Sequence, residues 1–141
     1  MSFRFFVRIG VMSKSLFEKI ANKEIPAFMI WEDEKFMAFL DINPLSKGHT
    51  LVVPKENWGD YLFGLADDKY LELLTVTKKV AEILEKNLDC KRILMIVEGL
   101  EVAHVHIKLV PTYDDQGLQS MRGKSVSMEE LKAVQQQIMG E

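Results

Sequence analysis

Two histidines and a lysine alternate in the run Val102-Ala103-His104-Val105-His106-Ile107-Lys108-Leu109-Val110-Pro111. Alternate residues of a strand share one face, about 7 Å apart. His104, His106 and Lys108 are therefore expected on one side, with Val105, Ile107 and Leu109 against a core. A row of cationic or potentially cationic groups is costly in an apolar strand unless something anionic visits. Three readings fit the pattern. It could be a solvated face with incidental histidines. His-x-His could supply two zinc ligands, with His49, Asp41 or Cys90 as a third, although Lys108 would repel the metal. Or the face could hold an anion, phosphate being the obvious one, beside a nucleophilic histidine.

The elements that must carry these groups follow from the pattern of apolar and breaker residues. Ser15 and Glu18 form a Ser-x-x-Glu capping box opening a short helix with Leu16, Phe17 and Ile20, and Pro26 ends it. The runs Phe28 to Trp31 and Phe36 to Leu40 flank a charged turn and predict a β-hairpin. Asn43-Pro44 and Lys47-Gly48 mark a loop, and His49 to Val53 is a third strand ended by Pro54. Ala66 to Leu88 is the long helix, with Asp67 and Asp68 at its positive end. Its apolar stripe is Leu73, Val76, Val80 and Leu84. Ile93 to Val97 and Val102 to Val110, the latter closed by Pro111, are expected as the fourth and fifth strands. The stretch from Tyr113 to Lys124 is polar and expected to be irregular. Ser127 and Glu130 then open a second short helix bearing Leu131, Val134 and Ile138. Phe3, Phe5, Val7 and Ile9 alternate like an added edge strand in an amino-terminal extension of residues 1–12, or else Met12 is the start and the eleven residues before it are an upstream extension. The sum is an α+β domain: an antiparallel sheet of about five strands, one long helix and short flanking helices.

Composition bounds the rest. The chain has 141 residues, three histidines, one cysteine and a formal net charge of -3. That length suits a single domain, 1–141, with one closed core. Mild acidity argues against a protein that coats nucleic acid. One cysteine allows no internal disulfide, so Cys90 is expected as a reduced thiol in the cytoplasm. No apolar run is long enough to span a membrane, and Arg4 and Arg8 spoil a secretory signal.

Two ordered motifs resemble the histidine triad (HIT) superfamily of nucleotide hydrolases and transferases. One is Phe39-Leu40-Asp41-Ile42-Asn43-Pro44 followed by Lys47-Gly48-His49-Thr50-Leu51-Val52-Val53-Pro54-Lys55. The other runs from Gly99 through His104, His106 and Lys108 to Pro111. The opening Leu16-Phe17-Glu18-Lys19-Ile20, with Lys23-Glu24-Ile25-Pro26-Ala27, is similar as well, so the likeness spans residues 15–111. The resemblance implies a HIT-like fold and a homodimer. It also implies an adenosine-type nucleotide, its base among Phe17, Ile20, Ile25 and Phe39, its ribose on Asp41 with Ile42 beside it. His106 matches the family's nucleophile, which attacks the α-phosphate and forms a nucleotidyl-histidine, its other ring nitrogen donating to a carbonyl. His49 and His104 match supporting histidines. The substrates implied are nucleoside phosphoramidates or dinucleoside polyphosphates, and neither metal nor cofactor is required.

The pattern breaks at Lys108, where the family has its third strand histidine. A lysine holds phosphate oxygens well as a point charge. As a class, lysines give up a proton reluctantly at neutral pH, their ordinary pKa being about 10.4. Many members have glutamine at the position of Leu100, Glu101 stands where some carry a small hydroxyl residue, and the glycine-rich segment is shorter. The alternative function is therefore a nucleotide-binding protein with weak or no turnover.

Overall fold

The computed structural model describes residues 14–115 and 117–141. The edge strand considered for Phe3 to Ile9 lies outside them. In chain order the elements are helix α1 (Leu16–Ala21), strands β1 (Met29–Glu32), β2 (Phe36–Leu40) and β3 (Thr50–Pro54), helix α2 (Asp67–Asn87), strands β4 (Arg92–Ile96) and β5 (Ile107–Thr112), and helix α3 (Met128–Met139). Short 3-10 turns lie at Leu62–Gly64 and Leu118–Ser120. The five strands form one antiparallel sheet in the order β1-β2-β3-β5-β4. This is the α+β architecture expected from the sequence.

Every residue of β2 and β3 is buried, because the sheet is covered on both faces. On one face Ala38, Leu40, Val52, Ile107 and Leu109 meet Leu73, Val80 and Leu84 of α2 and Leu131, Val134 and Ile138 of α3. On the other, Met37, Phe39, Leu51 and Val53 meet Phe17 and Ile20 of α1. Strand alternation divides the side chains between these two cores. Phe17 is only 2% exposed, and burying an aromatic of that size is worth roughly 1.5–3 kcal/mol. A six-residue helix has little intrinsic stability, so this packing and the complete Ser15–Glu18 capping box hold α1 in place.

The stripe of α2 lies in the chain's own core rather than on a partner-facing surface. Val76 is at its margin and Thr77 is buried, its hydroxyl donating to the Leu73 carbonyl. At α3 the Ser127 hydroxyl accepts from the Glu130 N–H, as the sequence suggests.

Strand β5 departs from expectation. It begins at Ile107 rather than Val102 and runs through Pro111 to Thr112. The backbone ahead of it is committed elsewhere: His104 N–H donates to the Val102 carbonyl and Val105 N–H to that of Gly59. His104 and His106 therefore stand on a loop leading into the strand. Side-chain alternation still survives, since Val105 joins the α2 core while His104 and His106 both touch Phe17 on the opposite side. Pro111 fits the strand because pairing with β3 ends at Leu109, so its missing N–H leaves no ladder bond unmade.

Candidate functional site

The site is organised by hydrogen bonds that fix each imidazole. The His104 Nε2 lies 2.7 Å from the Pro54 carbonyl, which only accepts, so Nε2 carries the proton. Its Nδ1 must then accept, and the Ser15 hydroxyl donates to it at 2.6 Å. The same hydroxyl oxygen accepts from Glu18 N–H at 3.0 Å, so one serine caps α1 and sets the His104 tautomer. The His104 carbonyl in turn accepts from His106 Nδ1 at 2.8 Å. The proton of a neutral His106 is thus on Nδ1, and its Nε2 lone pair is left for the cavity that the ring lines. Phe17 packs edge-on against both rings, its centroid 4.9 Å from that of His106.

His49 precedes β3 at a turn that needs Gly48. That glycine has φ +88°, and a Cβ there would meet Leu88 Cδ1 at 2.5 Å. His49 Nδ1 accepts from Leu45 N–H at 3.0 Å, so Nε2 carries the proton of the neutral ring. This buried Nε2 has no hydrogen-bond partner, and the closest carboxylate oxygen, of Asp41, is 3.6 Å away. The other Asp41 oxygen accepts from Asn43 N–H.

Burial holds all three histidines below the ordinary imidazole pKa, with Lys108 adding to the effect at His49 and His106. Asp41 opposes it at His49, the accepting carbonyls at His104 and His106. They are therefore neutral at pH 7. Lys108 is not an unpartnered cation either: its ammonium bonds Glu98 at 2.7 Å, and that contact holds the Glu98 carboxyl below its usual range. The expected row of three cations is in fact two neutral rings and one ion pair.

A cavity of about 720 Å³ gathers Phe17, Ile20, Ile25, Phe39, Asp41, Ile42, His106 and Lys108. These are all six residues expected to hold the nucleotide, together with His106, the expected nucleophile, and Lys108. Its base-sized end is apolar, and Asp41 stands at the rim beside exposed Ile42. His104 is fully buried behind His106 and supports it through the backbone. His49 lines a second cavity of about 570 Å³, which shares Asp41, Glu101 and Lys108 with the first. Glu101 therefore borders both cavities.

Sequence reasoning left several participants unassigned. Ser15 was legible as a cap but not as the partner of His104. Asn57 donates to the Ala103 carbonyl and accepts from Gly59 N–H, pinning the histidine loop. Val126, just before α3, and Leu131, in its first turn, line the large cavity and give the carboxy-terminal helix a place in the site. Gln135 fastens that helix to the Met29 carbonyl. Cys90 is half-buried, and burial raises its thiol pKa.

A zinc pair at His104 and His106 does not fit this arrangement. Both nitrogens of His104 are occupied, so it has no lone pair to give. Among the described residues no three metal-ligating side chains come together. Among them, too, no helix is long and apolar enough to cross a membrane.

Comparison with known proteins agrees with this architecture. A model of the HIT domain matches residues 22–115. An uncharacterized HIT-like protein of Borreliella burgdorferi is 37% identical over 126 residues, covering 84% of this chain and 89% of that protein. An adenosine 5'-monophosphoramidase of Saccharomyces cerevisiae is 34% identical over 104 residues, 72% of this chain and 64% of that one. The crystal structure of a hypothetical histidine triad nucleotide-binding protein from Sulfolobus tokodaii superposes with a TM-score of 0.77 at 28% identity, covering 88% and 89% of the two chains. On the family model's match to two thirds of its length and on relatives of this identity and coverage, the chain belongs to the HIT family.

Proposed function

We propose that this chain is a nucleotide phosphohydrolase or nucleotidyltransferase acting at the α-phosphate through a nucleotidyl-His106 intermediate. The observation that carries the reading is the His106 tautomer: Nδ1–H is spent on the His104 carbonyl, and the Nε2 lone pair meets a cavity with an apolar slot, Asp41 and Lys108. An adenine suits the slot among Phe17, Ile20, Ile25 and Phe39, and ribose hydroxyls suit Asp41. The Nε2 lone pair attacks the α-phosphorus as the bond to the leaving group breaks. The leaving group keeps that bond's electron pair and takes up a proton from solvent. Nδ1–H bonded to the carbonyl stabilises the positive imidazole of the adduct. Water or another acceptor then attacks phosphorus and gives up its proton to solvent, and the electron pair of the breaking P–N bond returns to Nε2. Lys108 supplies positive charge to the phosphate oxygens, and the scheme calls for no metal or cofactor.

The fitting substrates are adenosine phosphoramidates or dinucleoside polyphosphates. The relative named as an adenosine 5'-monophosphoramidase supports the first. His106→Ala is expected to abolish turnover of adenosine 5'-phosphoramidate with the far-ultraviolet spectrum unchanged; retained activity overturns the reading. Mapping a trapped adduct to His106 tests the intermediate, and its lifetime separates hydrolase from transferase.

The Lys108–Glu98 pair favours a second reading, a nucleotide binder with weak turnover. We place the protein in the cytoplasm, and we read it as a homodimer because, among the described residues, β4 ends the sheet with an open edge and exposes Met95. A light-scattering mass of one chain overturns the dimer.

A further inference from the structure

We infer that Glu98 is a built-in competitor for the nucleotide phosphate, occupying the Lys108 ammonium and setting how firmly a monophosphate is held. The inference rests on the nucleotide reading above and concerns a residue outside the recognised motif histidines.

The backbone puts Glu98 there by register. Ile96 is opposite Lys108 in the β4–β5 ladder. Continuing the same antiparallel count would set residue 98 opposite His106. Ile96 and Glu98 share a parity, so both fall on the face that carries Lys108. Gly99 then turns the chain away. Its φ is +72°, and a Cβ would lie 2.6 Å from the Asp60 carbonyl oxygen, so the position takes glycine alone. The turn fixes where Glu98 ends: its carboxylate bonds Lys108 Nζ at 2.7 Å.

The two partners are unequally placed. The Lys108 side chain is 15% exposed and that of Glu98 is 55% exposed. The lysine is held inside, at the junction of the two cavities, while the carboxylate comes in from solvent. A phosphate beside His106 needs the same ammonium. It must displace the carboxylate or share the lysine with it, and either way it meets a second negative charge at short range. Glu98 also lines the smaller cavity together with Glu101 and Asp41, so released carboxylate stays near the phosphate. The repulsion rises with phosphate charge. A monophosphate product, doubly charged at neutral pH, is penalised more than a singly charged substituted phosphate. Glu98 therefore favours departure of product over retention.

The test compares adenosine with AMP by titration calorimetry at low salt, using wild type, Glu98→Gln, Glu98→Ala, Lys108→Met and the Glu98→Gln/Lys108→Met double variant. Both Glu98 variants should bind AMP about three- to tenfold tighter than wild type, the scale expected for a partly exposed charge pair. Their adenosine constants should be unchanged, and the AMP gain should fall when Lys108 is methionine to what direct repulsion by Glu98 leaves. A merely structural role would move both ligands together. Adenosine binding with an AMP constant unchanged or weakened in the Glu98 variants overturns this inference alone. Failure of wild type to bind adenosine overturns the nucleotide reading and this inference with it.

Discussion

Ser15→Ala removes one oxygen that serves two structures. The first is the amino end of α1, where the hydroxyl accepts from Glu18 N–H at 3.0 Å. Loss of such a cap costs about 1 kcal/mol. The second is His104, whose ring is 0% exposed. Its Nε2–H is held by the Pro54 carbonyl, so Nδ1 cannot take the proton in compensation without breaking that bond. An acceptor stranded in this way costs a further 1–3 kcal/mol or so, nearer the lower figure if water enters beside half-buried Ser15. The expected total is about 2–4 kcal/mol. Ser127→Ala is the internal control, because that serine caps α3 through Glu130 N–H from an exposed position with no imidazole attached. It should cost only the cap, about 1 kcal/mol. Urea unfolding of the two variants measures the difference, and Ser15→Thr, which keeps the hydroxyl, should recover most of it. Nitrogen-15 spectra of the imidazoles read the tautomer directly, with His104 Nδ1 unprotonated and His106 Nδ1 protonated. Equal costs for the two alanine variants, or a protonated His104 Nδ1, would refute the reasoning.

Two further outcomes follow from the same site. His49, His104 and His106 all lie below their ordinary pKa of 6.5 in the folded chain. As pH falls below that value the unfolded chain binds protons that the folded chain refuses, so stability falls, by up to about 1.4 kcal/mol per pH unit for each histidine. Denaturation free energies measured between pH 8 and pH 5 should have no histidine-driven slope above about pH 7.5 and decline through 6.5; a rise on acidification contradicts the neutral assignment. Lys108→His, which also frees Glu98 from its partner, should raise turnover of adenosine 5'-phosphoramidate if loss of the third histidine limits the chemistry. Unchanged or lower turnover would assign the competent group to the lysine.

Local patterns carried most of the fold into view. The capping box placed α1, the spacing of Leu73, Val80 and Leu84 placed α2, and β-branched runs bounded by proline or glycine placed the sheet. The site residues were legible for a related reason: Phe17, Asp41, His49, His104 and His106 sit in contiguous motifs with fixed spacing. What stayed hidden depends on pairings between distant segments. Ser15 meets His104 across 89 positions. The early end of the fifth strand was masked because Val102 to Val105 have strand-like composition, while their backbone bonds depend on Gly59 and on a local turn. Glu98 could have been anticipated only from the register of β4 on β5, which neither strand specifies alone. The polar tail offered no periodicity, yet its Leu118, Met121, Gly123 and Lys124 line the second cavity.

The distribution of charge separates the two halves of the proposed reaction. Attack depends on an unprotonated Nε2, and everything behind His106 serves that state. Burial disfavours the imidazolium, Phe17 packs on the ring, and the His104 carbonyl takes the Nδ1 proton as a dipole rather than a charge. None of these groups stores a proton for the leaving group. That second task falls to the region around Lys108, which stands where the resemblance implies a third strand histidine and where Glu98 has already answered the lysine's charge. A leaving group basic enough to capture a proton from water or from the ammonium can depart without a third histidine. One that leaves as a stable anion needs no acid, but its charge would meet Glu98, Glu101 and Asp41 around the second cavity. These three carboxylates outnumber the two lysines, Lys108 and Lys124, that line the same cavity, so within the proposed reaction the amine of a phosphoramidate fits that side of the site better than a polyphosphate.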